Sequence, residues 1–208
     1  MTDIELDKRV ERAVENFMAG YGCCQSVVAA FADLYGLDDT LAKKVAAGFG
    51  GGVGRLRMMC GAVSGIVMLV GLDCGQTEGS DREGKSACYK VVQELLAKSK
   101  EQNGSLICAE ILGLKGYEKA ANSYVASART AEYYKTRPCA AKVESAARIF
   151  ADYLKQKENR WFDEFDGFDT FCYDFLTRTV RAQYAWGFRE IIRQMCQFVH
   201  FSLIWWQR

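Results

Sequence analysis

The residues of this chain that are equipped for chemistry are its cysteines. Four of the nine, Cys23, Cys60, Cys108 and Cys139, each fall in the predicted first turn of a different helix. Cys23 follows Tyr21-Gly22, Cys60 follows a glycine loop, Cys108 follows Asn103-Gly104-Ser105, and Cys139 follows Pro138. At a helix N-terminus the unpaired backbone N–H groups and the positive end of the dipole favour thiolate, lowering a thiol pKa that is otherwise ~8.5. The same setting suits a thiolate bound to a metal. Arg55 and Arg57 add positive charge near Cys60, so Cys60 is expected to have the lowest pKa and to react first.

Cysteine is also a small buried hydrophobe, and position decides between the two readings. Cys88 and Cys196 lie on apolar helical faces, Cys74 follows a helix end, and Cys172 sits among aromatics, so these read as packing residues. Cys24 is assigned to packing as well, because a vicinal disulfide with Cys23 would strain the intervening peptide. No Cys-x-x-Cys pair occurs, which removes the usual thioredoxin-like and zinc-ribbon signatures. His200 is the only histidine, so a cysteine–histidine hydrolase or a histidine-containing zinc site would rest on it alone. The run Gly48-Phe49-Gly50-Gly51-Gly52-Val53-Gly54 follows a helical segment and lacks the Gly-Lys-Ser/Thr ending of a phosphate loop. It reads as a flexible linker that brings Cys60 against another helix.

The elements that must position these thiols are helices. Only one proline is present, Pro138, and apolar residues recur at three-and-four spacing nearly throughout, so the predicted fold is all-α. A first helix presents Val10, Val14, Phe17 and Met18 and ends at Gly20; a second runs from Cys23 to Tyr35, burying Val27, Val28, Phe31 and Leu34. Asp39 or Thr40 caps a third through Ala47, and a fourth covers Cys60 to Leu72. Small residues at four-residue spacing in Gly61 to Gly65 let another backbone approach closely. Ser80 or Asp81 opens a fifth helix carrying Cys88, Val91, Val92, Leu95 and Leu96, which Asn103-Gly104 ends. Helices over 105–112 and 117–134 are expected next, then a last core helix with Val143, Ala147, Phe150 and Leu154.

Residues 1–157 thus form the predicted core domain. From 158 to 208 aromatics and aspartates, then apolar residues with scattered arginines, mark an appendage, read as a covering helix with an interfacial helix or a homo-oligomer contact as alternatives.

The balance of 27 basic and 26 acidic residues offers nothing to draw nucleic acid or an anionic membrane. Met1 to Phe17 lacks the pattern of a secretory signal, and Ala62 to Leu72 is too short to span a membrane. The expected location is therefore the cytoplasm, where the reducing poise disfavours permanent disulfides.

Gly22-Cys23-Cys24-Gln25-Ser26-Val27, the glycine run leading into Cys60-Gly61-Ala62-Val63-Ser64-Gly65, Cys108 before Ile111-Leu112-Gly113, and Cys139 together resemble the redox-active family of the C_GCAxxG_C_C type. The resemblance covers roughly residues 5–155, with four separated elements in order. It implies a small helical domain whose recurring cysteines match Cys23, Cys60, Cys108 and Cys139. This chain has Cys-Gly-Ala where the family's name has Gly-Cys-Ala, and it adds Cys24.

Three functions compete. The first is cysteine-based thiol–disulfide or electron-transfer chemistry, as in a thiol oxidoreductase, with an unidentified redox partner. In the second, the same four cysteines bind an iron–sulfur cluster or another metal in an electron carrier or sensor. The third is a non-catalytic helical adaptor with buried cysteines.

Overall fold

The computed structural model describes residues 2–115 and 123–158. Contacts divide the chain into Met1–Asn159 and Arg160–Arg208, and the description concerns the first of these. The expected appendage, with Cys172, Cys196 and His200, lies outside the described residues.

Among the described residues the fold is all-α. In order come α1 (Asp3–Met18), α2 (Cys23–Phe31), α3 (Asp39–Ala46), α4 (Gly61–Cys74), α5 (Arg82–Asn103), the short α6 (Cys108–Ile111), α7 (Ala131–Thr136) and α8 (139–158). Local chemistry starts them where polar caps stand. The Thr2 hydroxyl accepts from Glu5 N while Glu5 reaches back to Thr2 N; Asp38 accepts from Leu41 N, and Asp81 from Gly84 N.

α4 is apolar all round and accordingly lies in the middle, packed against α2 on one side and α5 on another. Its approach to α2 depends on having no side chain at two positions four apart. A Cβ on Gly65 would lie 2.8 Å from Val27 Cβ, and one on Gly61 would lie 2.8 Å from Phe49 O. Around this pair α1 contributes Leu6, Val10, Ala13 and Phe17, and α8 contributes Val143, Ala147 and Phe150. Phe31 and Phe150 meet edge to face at 5.2 Å.

Several elements depart from the pattern expected of them. α2 gives way after Phe31 to a 3-10 turn over Ala32–Tyr35, which rotates Leu34 outward; Met18 is likewise exposed. The helix expected over 105–112 is confined to Cys108–Ile111, because the preceding backbone pairs elsewhere. Cys60 N donates to Leu106 O at 2.8 Å and Cys108 N to Met58 O at 2.6 Å, flanking an isolated antiparallel bridge between Met59 and Ile107. Of the helix expected over 117–134, residues 117–122 lie outside the description, 123–130 are not helical, and α7 alone remains. There Ser123 O and Ser127 Oγ accept from Arg55, so serine-rich backbone serves tertiary hydrogen bonds instead.

No helix among the described residues is long and apolar enough to cross a membrane.

Gly65→Ala should therefore destabilise the protein by about 1–3 kcal/mol through overpacking against Val27. Val27→Ala in that background should regain part of the loss, where two independent sites would instead add their costs. Urea unfolding of the two single variants and the double variant measures the coupling.

Candidate thiol site

The four candidate cysteines all stand at helix beginnings. Cys23 is the first residue of α2, whose capping position is Gly22, and Gly22 N donates to Gln25 Oε1 at 2.8 Å. Cys60 is the capping residue of α4, and the backbone N–H groups of Ala62 and Val63 in the first turn act to lower its thiol pKa. Cys108 opens α6, and Cys139 is the first residue of α8, just after Pro138, whose carbonyl accepts from Lys142 N at 3.1 Å.

The fold brings these starts together. A Cβ on Gly61 would lie 3.3 Å from Cys23 Cβ, so α4 begins against the first residue of α2. The bridge at Met59 and Ile107 turns Cys60 and Cys108 to one face, one diagonal step apart, a spacing of ~7–8 Å between Cα atoms. Cys23 and Cys139 stand close enough for each thiol to shift the other's titration, and the charge on Cys139 is felt at both Cys60 and Cys108.

The linker into Cys60 is a built coil. Gly51, Gly52, Val53, Gly54, Arg55 and Arg57 all have left-handed φ, and Gly54 N, Arg57 N and Met58 N donate back to the carbonyls of Gly48, Gly51 and Gly52. Gly52, at φ +73°, lies so close to Cys108 that an added Cβ would stand 2.6 Å from the Cys108 Cβ. The coil thereby places Arg57, only 6% exposed, beside Cys108.

Electrostatics separate thiols that look alike in sequence. Cys139 is lowered to about 7, first by the neighbouring Cys23 thiol and then, against its burial, by Arg137, Arg129 and Arg57. The same neighbour relation, with burial next, raises Cys23. Cys60, expected to be lowest, is raised because burial outweighs the N–H groups of Ala62 and Val63. Burial also raises Cys108 against the opposing influence of the Arg57 guanidinium. Cys139 and Cys23 are half-buried, whereas Cys60 and Cys108 are buried.

Sequence reasoning missed Arg129 and Arg137. Arg129 stands 4.6 Å over each of the Phe17 and Tyr133 rings and donates to Tyr21 O at 3.0 Å, beside the start of α2. Arg137 adjoins Pro138-Cys139, a signal the sequence did carry; Arg129 lies in a non-helical segment with no such signal.

The remaining described cysteines sit in the packing. Cys24 is fully buried, donates to Met68 Sδ at 3.5 Å, and is pushed up to about 12 chiefly by burial. Cys88 is buried on α5, and Cys74, the last residue of α4, reaches it; burial first and then Cys88 push Cys74 up to about 11.

Thiolates at helix starts suit a metal in type. In arrangement they do not: among the described residues no three histidine, cysteine, aspartate or glutamate side chains are grouped to hold an ion.

The described architecture is a helical domain with four thiols gathered at helix N-termini. The chain belongs to the family described as "Putative redox-active protein (C_GCAxxG_C_C)", which matches residues 21–153 and so contains all four thiols and both arginines that sequence reasoning missed. No curated protein and no solved structure matches it.

Alkylation of Cys139 should follow a single titration with its midpoint near pH 7, falling about tenfold for each pH unit below it as the thiolate fraction falls. Cys60 and Cys24 should remain slow across neutral pH. Timed iodoacetamide labelling with peptide mass spectrometry reads each rate, and Cys60 labelled ahead of Cys139 would reverse the order.

Proposed function

We propose that the chain is a thiol–disulfide redox protein in which Cys139 is the nucleophile and Cys23 the resolving thiol. The observation that carries this reading is the meeting of two half-buried thiols from the starts of α2 and α8, with Cys139 shifted toward thiolate and Cys23 away from it. A thiol with pKa near ambient pH combines thiolate population with nucleophilicity.

The Cys139 thiolate attacks one sulfur of a substrate disulfide, forming a mixed disulfide and releasing one half as a thiolate. That leaving thiolate takes the Cys23 proton. The Cys23 thiolate then attacks the Cys139 sulfur, closing a Cys23–Cys139 disulfide and releasing the second half, which takes a proton from water. Two electrons have passed from the cysteines to the substrate.

Arg129 and Arg137 stabilise the attacking thiolate. Cys60 and Cys108 lie within electrostatic reach as a further thiol pair, and their diagonal relation would require backbone movement before they bridged directly. Their role in this reading is to exchange with the Cys23–Cys139 disulfide.

Cys139→Ser should reduce disulfide exchange to background, because the hydroxyl is not ionised near neutral pH. Cys23→Ser should leave the first attack in place and accumulate a mixed disulfide on Cys139, visible as the added mass of one substrate half. Full turnover in the Cys139→Ser variant would exclude the assignment.

A further inference from the structure

Positive charge is left over at the thiol site. Arg57 is 6% exposed, and its Nε is buried without a hydrogen-bond partner. The Nη1 of Arg129 is also buried and unpartnered, although stacking on Phe17 and Tyr133 and the bond from Nη2 to Tyr21 O fix its guanidinium. Arg137 is a third cation, 4.9 Å over Tyr133. Among the described residues none of the three meets a carboxylate; Asp33, Asp39, Asp7, Asp3 and Asp73 pair with other cations. An unpaired buried guanidinium is costly, and buried charges are ordinarily paired. One thiolate, on Cys139, does not answer three cations, of which Arg57 is buried and Arg129 and Arg137 are half-buried. They stand by different thiols, since Arg57 adjoins Cys108 while Arg129 donates to the Tyr21 carbonyl just before Cys23.

We propose that Arg57 and Arg129 form an anion-binding cradle beside the reacting sulfurs, and that the substrate is a small disulfide bearing carboxylates. This rests on the thiol–disulfide reading of the same site and names its substrate class. The planar guanidinium fork fits a carboxylate in two parallel hydrogen bonds, and the unpartnered Nε of Arg57 is one arm of such a fork. Two cations beside different thiols suit a disulfide with an acid on each half. The chemistry of exchange is unchanged; the carboxylates supply position, and they leave with the two released thiols.

The test uses the reduced full-length protein and three disulfides of similar leaving group but different charge: 3,3′-dithiodipropionate, 2-hydroxyethyl disulfide and cystamine. Rates are divided by those of free glutathione with each compound, which removes intrinsic reactivity. The expected ratio of anionic to neutral is about tenfold or more, with cystamine slowest. In Arg129→Gln and Arg57→Lys this ratio should fall toward one; being a ratio within one protein, it is insensitive to any accompanying change in the Cys139 thiolate fraction.

A second measurement is independent of turnover. The thioether 3,3′-thiodipropionate, which has no disulfide to exchange, should raise the melting temperature saturably in the native chain and not in Arg129→Gln, while neutral thiodiglycol should do nothing. Saturable binding of this dianion without exchange of any disulfide would uphold the cradle and overturn the redox reading. Exchange with no charge preference and no dianion binding would overturn the cradle and leave the redox reading standing. Loss of both would overturn both.

Discussion

The contact between the beginnings of α2 and α4 is the constraint from which the rest of the site follows. With no Cβ at Gly61, the first turn of α4 lies directly on Cys23 and Cys24, and Gly65 continues the contact one turn further along Val27. Two helix N-termini therefore open at one place, and the chain entering α4 must arrive there from the end of α3. It does so through a left-handed coil over 51–57, which leaves Met58 and Cys60 free to pair with Leu106 and Cys108. α8 closes the group, with Cys139 at its first residue and Phe150 packed on Phe31.

Within that group, magnitudes decide which sulfur carries charge. A helix N-terminus contributes typically about 0.3–1 kcal/mol to an anion near the surface, whereas burial moves a titratable group by up to several pK units, at ~1.36 kcal/mol each. At Cys60 both effects operate and burial wins. Cys139 escapes because it has what Cys60 lacks: a neighbouring thiol that favours its thiolate, and arginines from three separate segments. The neighbour that lowers Cys139 is itself raised, so two chemically identical groups shift in opposite directions.

The helices and their starts were legible because each signal is local. Gly22, Asp81 and Pro138 mark beginnings by their own backbone or side-chain chemistry, the third helix is capped by Asp38 one residue ahead of the expected Asp39 or Thr40, and four cysteines at helix beginnings form a pattern that periodicity exposes. The small-residue spacing at Gly61 and Gly65 was readable for the same reason. Burial of Cys60 was not, since it depends on which helices close over the α4 start. Arg129 was equally hidden: it stands 106 residues after Cys23 in a segment without helical spacing, and only the folded chain lays it over Phe17. The stretch 123–130 departs from helix because its serines bond to Arg55, a partner nearly 70 residues away. Apolar periodicity carries no trace of such a bond.

The coil before α4 indicates how much of the fold is committed to this one place. Val53, Arg55 and Arg57 take left-handed φ without being glycine, each at a cost of order 1–3 kcal/mol, and Val53 is β-branched, which makes its position less favourable still. Such backbone persists only where its surroundings over-determine it. Here the surroundings are explicit: Gly50, Gly51 and Gly52 carbonyls accept from Arg55, Arg57 and Met58, and the Arg57 and Met58 carbonyls accept in turn from Ala109 and Cys108. A relaxed right-handed turn would break both sets of bonds and carry Arg57 away from Cys108. The strain, the buried guanidinium and the approach of Cys108 to Cys60 are thus consequences of one path of the chain.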